Sequence, residues 1–534
     1  MTFDIVICGG LLVDGSERPA YKADVGISGD RIVAIGDLKE VEAATKIEVP
    51  GNVVAPGFID MHSHSDVTLL EDPGGESKVY QGVTTEVTGN CSFSPFPAGN
   101  VSPEVLKAQL GEVLISELEW TWETLDDWAV DLESRGVSIN VAPQVGQAAL
   151  QVASGATEDR PATPDEMKEM KRLASEAFEQ GAFALSTGLS FAPSGYASTE
   201  ELTSLCETIS GYDGAFYATH ARTGAGKHIS MIEEAIEIGQ RGQVPVQFSH
   251  ISITDRRFYG DGPKMLQLFE RARSEGLDIT YDIYPYTAAG SNFNETIPLW
   301  AQDGTHDEYM SRLRDPQTRA RIKDELTRAA GGLRPLWDTW QIAYVGSDKN
   351  RGLIGMTVEE IARDRGIEPE ELVLQLNVEE NSVVAVVVHN RSESDVRYFM
   401  AQPIAMFGSD GRAISPDGPY SFAKPHPRFY GTYPRVLGRY VREDPAMSLE
   451  TAIHKMTGFP AQRLGLRDRG LLKEGLVADL VIFDPERVVD RATFEDPHQY
   501  PEGISHVLVN GNQVISDGKH TGSRPGNVLR RGLN

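Results

Sequence analysis

From Val53 to about Asp410, short apolar stretches bounded by Gly, Pro or polar residues alternate with stretches of helical periodicity. Helices are expected over Glu104 to Leu118, Thr163 to Gln180, Glu200 to Ser210 and Ile229 to Arg241. Between them stand Ser138 to Ala142, Ala182 to Ser186, Phe216 to Thr219, Val244 to Ser249 and Asp278 to Asp282, each of buried-strand length. Strand then helix, repeated over roughly 400 residues, implies a parallel sheet. At this length the simplest closed form is a TIM-like (β/α)8 barrel. The barrel is expected to span residues 55–464.

The two ends of the chain read differently. Asp4 to Cys8, Leu11 to Val13, Ala23 to Ile27 and Arg31 to Ile35 are short strands joined by tight turns. After a helix at Leu449 to Met456, β character returns in Ala478 to Phe483, His506 to Val509 and, past the turn Asn510-Gly511-Asn512, Val514 to Ser516. Residues 1–54 and 465–534 are therefore expected to form one small β-sandwich beside the barrel. A charged, Arg-rich segment at about 291–350, carrying Trp300, Trp337 and Trp340, interrupts the alternation and reads as an insertion over the barrel mouth.

A chain of 534 residues, 40% of them hydrophobic, can bury a large core and is not disordered by composition. Its formal charge of -28, without long acidic blocks, opposes attraction to nucleic acid or anionic membrane. Cys8, Cys91 and Cys206 are far apart and odd in number, which does not suggest a disulfide framework. Neither a signal-peptide pattern nor an apolar run of membrane-spanning length is visible, so a cytoplasmic setting and a small-molecule substrate are expected.

Active sites of such barrels lie where the strands end. The stretch Gly57 to His64, GFIDMHSH, presents His62 and His64 on one side of an extended chain, with Ser63 opposite. Phe216 to Thr219 ends at His220, Val244 to Ser249 ends at His250, and Pro403 to Ser409 ends at Asp410. Glu86 to Gly89 leads through Asn90 to Cys91. Singly, each has a plainer reading, Cys91 as a small buried hydrophobe and the His pair as polar residues at a strand end. Jointly, four imidazoles, a thiol and a carboxylate just past apolar strands suit a borderline-soft divalent ion such as zinc. Cys91, His220 and His250 would make a three-ligand site with an open position. His62, His64 and Asp410 could hold a second, weaker ion with Cys91 bridging. Asp410 has another possible role, taking a proton from water and passing it to a leaving group.

Beyond GFIDMHSHSD, the chain carries GVTTEVTGNCSFSP (Gly82 to Pro95), ALSTGLSFAPSGYASTEEL (Ala184 to Leu202), YATHAR (Tyr217 to Arg222), Ser249-His250, YDIYPYTAAGS (Tyr281 to Ser291), FGSDG (Phe407 to Gly411) and PHPRFYGTYPRVLGRYVRE (Pro425 to Glu443). ADLVIFDP and RPG follow near the end. Together these resemble the N-acyl-D-amino-acid deacylase (D-aminoacylase) branch of the amidohydrolase superfamily over nearly the whole chain. The resemblance implies a tight zinc on Cys91, His220 and His250, a second position among His62, His64 and Asp410, and Asp410 as the acid/base. It implies further that Arg428 of PHPR grips the substrate carboxylate, helped by Tyr286 of YPY and by Ser291.

Two positions depart from the branch. Ser252 stands where relatives usually carry a lysine, and Gln147 where a histidine is common. Loss of that lysine charge, unless Arg256 or Arg257 restores it, predicts that acidic side chains are disfavoured and neutral or apolar D-residues preferred. Hydrolysis of a linear N-acyl-D-amino acid is thus the expected activity. Opening of a cyclic amide such as a hydantoin or dihydropyrimidine is a rival, weakened by the absence of a convincing strand-end lysine for a bridging carbamate and by the presence of Cys91. Two rivals come from different classes: a thiol enzyme with Cys91 as nucleophile, and a non-enzymatic binding protein on a degenerate barrel.

Overall fold

The computed structural model describes residues 3–114, 118–224, 226–332 and 335–532. Eight short parallel strands form its centre: β1 (Phe58–Asp60), β2 (Val83–Thr88), β3 (Asn140–Pro143), β4 (Ala184–Gly188), β5 (Phe216–His220), β6 (Val246–Phe248), β7 (Ile279–Ile283) and β8 (Ala405–Phe407). Neighbours pair in sequence order within β1 to β3 and within β4 to β8. Two backbone hydrogen bonds join the remaining gaps: Phe183 N–H to Pro143 O at 2.9 Å, and Met61 N–H to Phe407 O at 3.2 Å. The sheet is thereby closed, as the strand–helix alternation predicts. Every residue of these eight strands is buried, polar ones such as Thr85, Glu86 and Asp282 included, which is why they lack the strict apolar–polar alternation of a half-exposed sheet.

The surrounding helices begin at capping boxes written in the sequence. Thr163 accepts from the Glu166 backbone N–H and the Glu166 side chain returns to Thr163, with Pro164 in the first turn. The helix Pro164–Glu179 then buries Met170, Leu173, Ala174, Ala177 and Phe178, the three- and four-residue spacing of one face. Ser198 and Glu201 start Thr199–Ile209 in the same way. The helix expected over Glu104 to Leu118 runs as Pro103–Leu114, and residues 115–117 lie outside the described ones.

Both chain ends meet in one seven-stranded sheet, where Val53–Pro56 lies antiparallel to Leu480–Phe483. A four-stranded sheet containing Phe3–Cys8 and Asp24–Ser28 packs against it. Ile5, Ile27 and Ile47 of one sheet share an apolar core with Leu12, Leu480 and Leu508 of the other. This is the β-sandwich. On the barrel side, Leu464 and Leu529 pack with Ile59, Ala142 and Phe216 and close one end of the barrel interior.

Between β7 and β8 the chain forms a three-stranded antiparallel sheet of Ala289–Asn292, Val384–Val388 and Trp340–Val345. Phe293, Trp337, Ile342, Leu376 and Val386 build its separate core. This unit reaches Val388, well past residue 350. Its later part, helix Pro369–Glu379 followed by strand Val384–Val388, has the local pattern of another barrel repeat. The strand nevertheless pairs antiparallel with the tryptophan-bearing Trp340–Val345.

Candidate metal centre and substrate cavity

His62, His64, Cys91, His220, His250 and Asp410 converge at the carboxyl ends of the strands. Cys91 Sγ lies 3.4 Å from His62 Nε2, 3.6 Å from His220 Nδ1 and 3.5 Å from His250 Nε2. Asp410 Oδ1 is 3.1 Å from His64 Nε2 and 3.7 Å from His62 Nε2. Donor atoms of His62, Cys91 and His250 all lie within 4.8 Å of one another, as do those of His62, His64 and Asp410. His62 belongs to both groups, and Cys91 brings His220 to the first.

Three of these residues occupy left-handed backbone that non-glycine residues rarely adopt: Cys91 (φ 53°), His250 (φ 33°) and Asp410 (φ 48°). Such strain persists where the surroundings over-determine it, commonly at functional sites. At Cys91 two glycines do so. A Cβ on Gly188 would stand 2.3 Å from the Cys91 carbonyl oxygen, and one on Gly146 would stand 2.0 Å from that of Ser92. Only bare backbone on β4 and after β3 lets the GNC turn lie this deep.

Beneath the cluster a fully buried ionic network ties β1 to β8. Asp60 Oδ1 accepts from the backbone N–H of His62 (3.2 Å) and of Ser409 (2.7 Å). Its Oδ2 accepts from Lys78 Nζ (2.8 Å) and from the Ser409 hydroxyl (2.5 Å). Lys78 Nζ also donates to Ser409 Oγ (2.6 Å) and lies 3.5 Å from Glu86 on β2. One lysine and one aspartate thus fix the turns that carry His62, His64 and Asp410.

The electrostatics favour metal ligation over free-thiol chemistry. Burial lowers His220 to about 3 and His64 to about 4, and holds His250 well below its ordinary value, so these imidazoles are neutral at pH 7. Burial also depresses His62, but Cys91 and Asp282 outweigh it and raise His62 well above the usual range. Asp282 Oδ1 stands 3.2 Å from His62 Nδ1, a contact that turns Nε2 toward Cys91 and Asp410. Burial pushes the Cys91 thiol up. Without a cation it is therefore a poor nucleophile, since the thiolate is the reactive form. The buried ring nitrogens His64 Nδ1 and His220 Nε2 have no hydrogen-bond partner among the described residues. Neutral imidazoles, a thiol and a carboxylate with orphaned nitrogens fit a zinc-type ion.

A cavity of about 960 Å³ opens onto this cluster. Barrel residues His64, Cys91, His220, His250 and Asp410 line one side, and Leu299, Trp340 and Val387 of the inserted unit line the other. Arg428 reaches it as expected, with its guanidinium Nη1 2.9 Å from Asp410 Oδ2. Burial would raise Asp410, yet Arg428 and the His64 hydrogen bond hold its carboxyl well below the usual carboxylate range. Ser291 lines the cavity and its hydroxyl donates to Glu295. Ser252 is also there, whereas Arg257 is tied to Asp255 at 2.6 Å. Gln147 is buried away from the cavity and accepts from Ser194.

The expectation for Tyr286 is corrected: it does not line the cavity. The Tyr286 N–H bonds the Tyr284 carbonyl at 3.0 Å, a three-residue turn about Pro285 that sends the two rings to different sides. Tyr286 is buried against Pro427 and Arg435. The tyrosine of YPY that faces the cavity is Tyr284.

Residues 47–515 match the profile of the amidohydrolase family. The chain belongs to that family. It is 37% identical to a D-aminoacylase of Alcaligenes xylosoxydans xylosoxydans over 530 residues, which is 99% of this chain and 98% of the relative. Among solved structures it is similar to the N-acyl-D-glutamate deacylase of Bordetella bronchiseptica in complex with zinc and a phosphonate mimic of the tetrahedral intermediate. That likeness has TM-score 0.83 and 31% identity, and covers 99% of this chain and 100% of the other. A D-aminoacylase studied for one-metal activation and second-metal attenuation of its binuclear center matches with TM-score 0.83, 35% identity and the same coverage.

Sequence reasoning missed three contributors. Tyr284 stands just before Pro285, and that proline is the signal that Tyr284 and Tyr286 diverge. Lys78 sits in a short helix without a motif of its own. Arg391, a further cavity residue, follows the strand Val384–Val388 of the inserted unit.

Proposed function

We propose that this amidohydrolase uses zinc to cleave N-acyl-D-amino acids to a carboxylate and a free D-amino acid. The observation that carries the reading is the cluster in which one cysteine and four histidines meet Asp410 at the head of a cavity containing a guanidinium. Cys91, His220 and His250 would hold one tight ion. His62, His64 and Asp410, with Cys91 between the groups, would hold a second, weaker one, in keeping with the binuclear center of the related D-aminoacylase. When bound, zinc supplies Lewis-acid polarisation of the scissile carbonyl and activation of the attacking water.

The chain's own residues perform the rest. Asp410, kept ionised by Arg428, accepts the water's proton at a carboxylate oxygen and returns it to the departing amine nitrogen. Arg428 faces the substrate carboxylate, for which a guanidinium fork has the matching shape. The Tyr284 and Ser291 hydroxyls line the same space. The inserted unit contributes an apolar wall against the acyl group or side chain. Three separate, buried, unpaired thiols accord with a cytoplasmic setting. The raised Cys91 disfavours a thiol mechanism.

The deciding experiment is a turnover screen of N-acyl amino acids of both hands, alongside hydantoins, with metal content measured on the same sample. Hydrolysis confined to D substrates by zinc-loaded protein is expected. Turnover of hydantoins alone would overturn the reading.

A further inference from the structure

We propose that Arg391, acting with Arg428 beside the ring of Tyr284, supplies the second positive charge that holds the substrate's α-carboxylate. The inference deepens the N-acyl-D-amino-acid reading above and rests on it. Arg391 lies just beyond the inserted sheet, where its backbone N–H donates to Thr287 O at 3.1 Å and so anchors it beside the segment that follows β7. Its guanidinium carbon is 4.4 Å from the centre of the Tyr284 ring, and that of Arg428 is 4.5 Å from the same centre. Two guanidinium groups thus lie against one buried tyrosine.

Charge accounting identifies Arg391 as the unneutralised member. Arg428 pairs with Asp410, whereas Arg391 forms no ion pair among the described residues. Two like charges beside one ring repel, and an anion between them relieves the repulsion. A carboxylate fits that place, because its two oxygens accept from both forks and from a phenol hydroxyl. Glu295 is the nearby acidic side chain; Arg391 acts to lower its carboxyl but burial pushes it up, it accepts the Ser291 hydroxyl, and it makes no ion pair with Arg391 among the described residues.

The position selects the α-carboxylate over a side-chain acid. Arg391 shares the Tyr284 ring with Arg428, whose Nη1 is 2.9 Å from Asp410 Oδ2, so it stands near the metal cluster rather than at the outer end of the cavity. An α-carboxylate is one carbon removed from the amide nitrogen, whereas the carboxylate of an acidic side chain is farther away. Ser252 lies in the same cavity without charge, and Lys227 and Arg256 line it only as exposed residues. The cation is therefore delivered from the inserted unit instead of from the loop after β6.

The test uses the zinc-loaded full chain with an N-acyl-D-leucine and its methyl ester. Arg391→Met should raise KM for the acid about 10 to 150-fold, the range for loss of a charged hydrogen bond, while kcat/KM for the ester stays within about threefold. Adding Ser252→Lys to Arg391→Met should recover much of the loss by restoring a cation in the same cavity. Equal loss on acid and ester in both variants would mean a structural role and overturn the proposal. Selective loss on N-acyl-D-glutamate with N-acyl-D-leucine unaffected would assign Arg391 to side-chain recognition and also overturn it. If the wild type hydrolyses no N-acyl-D-amino acid, the reading beneath falls first. A wild type that does so, with an unchanged Arg391→Met variant, sinks this inference alone.

Discussion

Replacing Asp410 by Asn separates catalysis from stability, because the same carboxylate serves both. Asn cannot accept the water's proton or return it, so kcat should fall about 10² to 10⁴-fold, the usual contribution of a general acid/base. The structural effect comes from Arg428, only 5% exposed, which loses its 2.9 Å partner. At that distance the attraction is roughly 6 kcal/mol for an effective dielectric constant near 20, and desolvation offsets part of it. Removing one partner of such a buried pair costs about 3 to 5 kcal/mol, since the remaining charge is stranded. Unfolding of metal-free protein in denaturant should show that loss for Asp410→Asn. The double variant Asp410→Asn, Arg428→Met should regain most of the stability and none of the activity, a coupling that a double-mutant cycle measures directly. Turnover of Asp410→Asn within about threefold of wild type would remove Asp410 from proton transfer. Additive stability losses in the double variant would refute the pairing argument.

Cys91→Ala should lose the tight zinc and activity together, because Sγ is the shared neighbour of three imidazoles; metal analysis showing full zinc with retained turnover would refute the ligand assignment. Lys78→Met strands Asp60 and Glu86 in a fully buried site, so a loss of about 3 to 5 kcal/mol in denaturant unfolding is expected, with lowered kcat as the His62 and Asp410 turns loosen. Two imidazoles should weaken the metal-free protein in acid. His220 and His64 titrate near 3 and 4 when folded but near 6.5 when unfolded, so only the unfolded chain gains those protons as pH falls below about 6.5. These rings lower the denaturant midpoint between pH 7 and pH 5 against the opposing effect of Asp66, whose buried carboxyl is raised to about 8, so His220→Phe should lose less between those pH values than wild type, and an equal loss would contradict burial of that ring.

Much of the fold was legible because its signals are local. The helix at Leu449 to Met456 is recovered to the residue, and Arg31 to Ile35 to within one residue, since caps, turns and apolar periodicity mark them. The inserted unit was legible at its start and not at its end. Val384–Val388 has the composition of a barrel strand, and nothing within it says that its partner is Trp340–Val345. Pairing is a long-range property, whereas strand propensity is local.

The candidate site divides along the same line. Residues fixed by a strand end could be named, because in a barrel the strand's position also fixes where the next side chains go. His62, His64, His220 and His250 are of this kind, and so is Arg428, which opens a helix after a recognisable motif. Tyr286 shows where the logic stops. The choice between it and Tyr284 turns on the Pro285 bend, which puts one ring in the cavity and leaves the other outside it. Arg391 shows a second limit, since its relevance comes from what it lacks. No motif announces a guanidinium without an anion. That property exists only once the Arg428 and Asp410 pair and the uncharged Ser252 occupy one cavity, with Arg257 held outside it by Asp255. A charge left over after its neighbours are paired belongs to the tertiary arrangement. It points to a substrate because burial makes an uncompensated cation costly in the empty cavity and favourable only when an anion arrives.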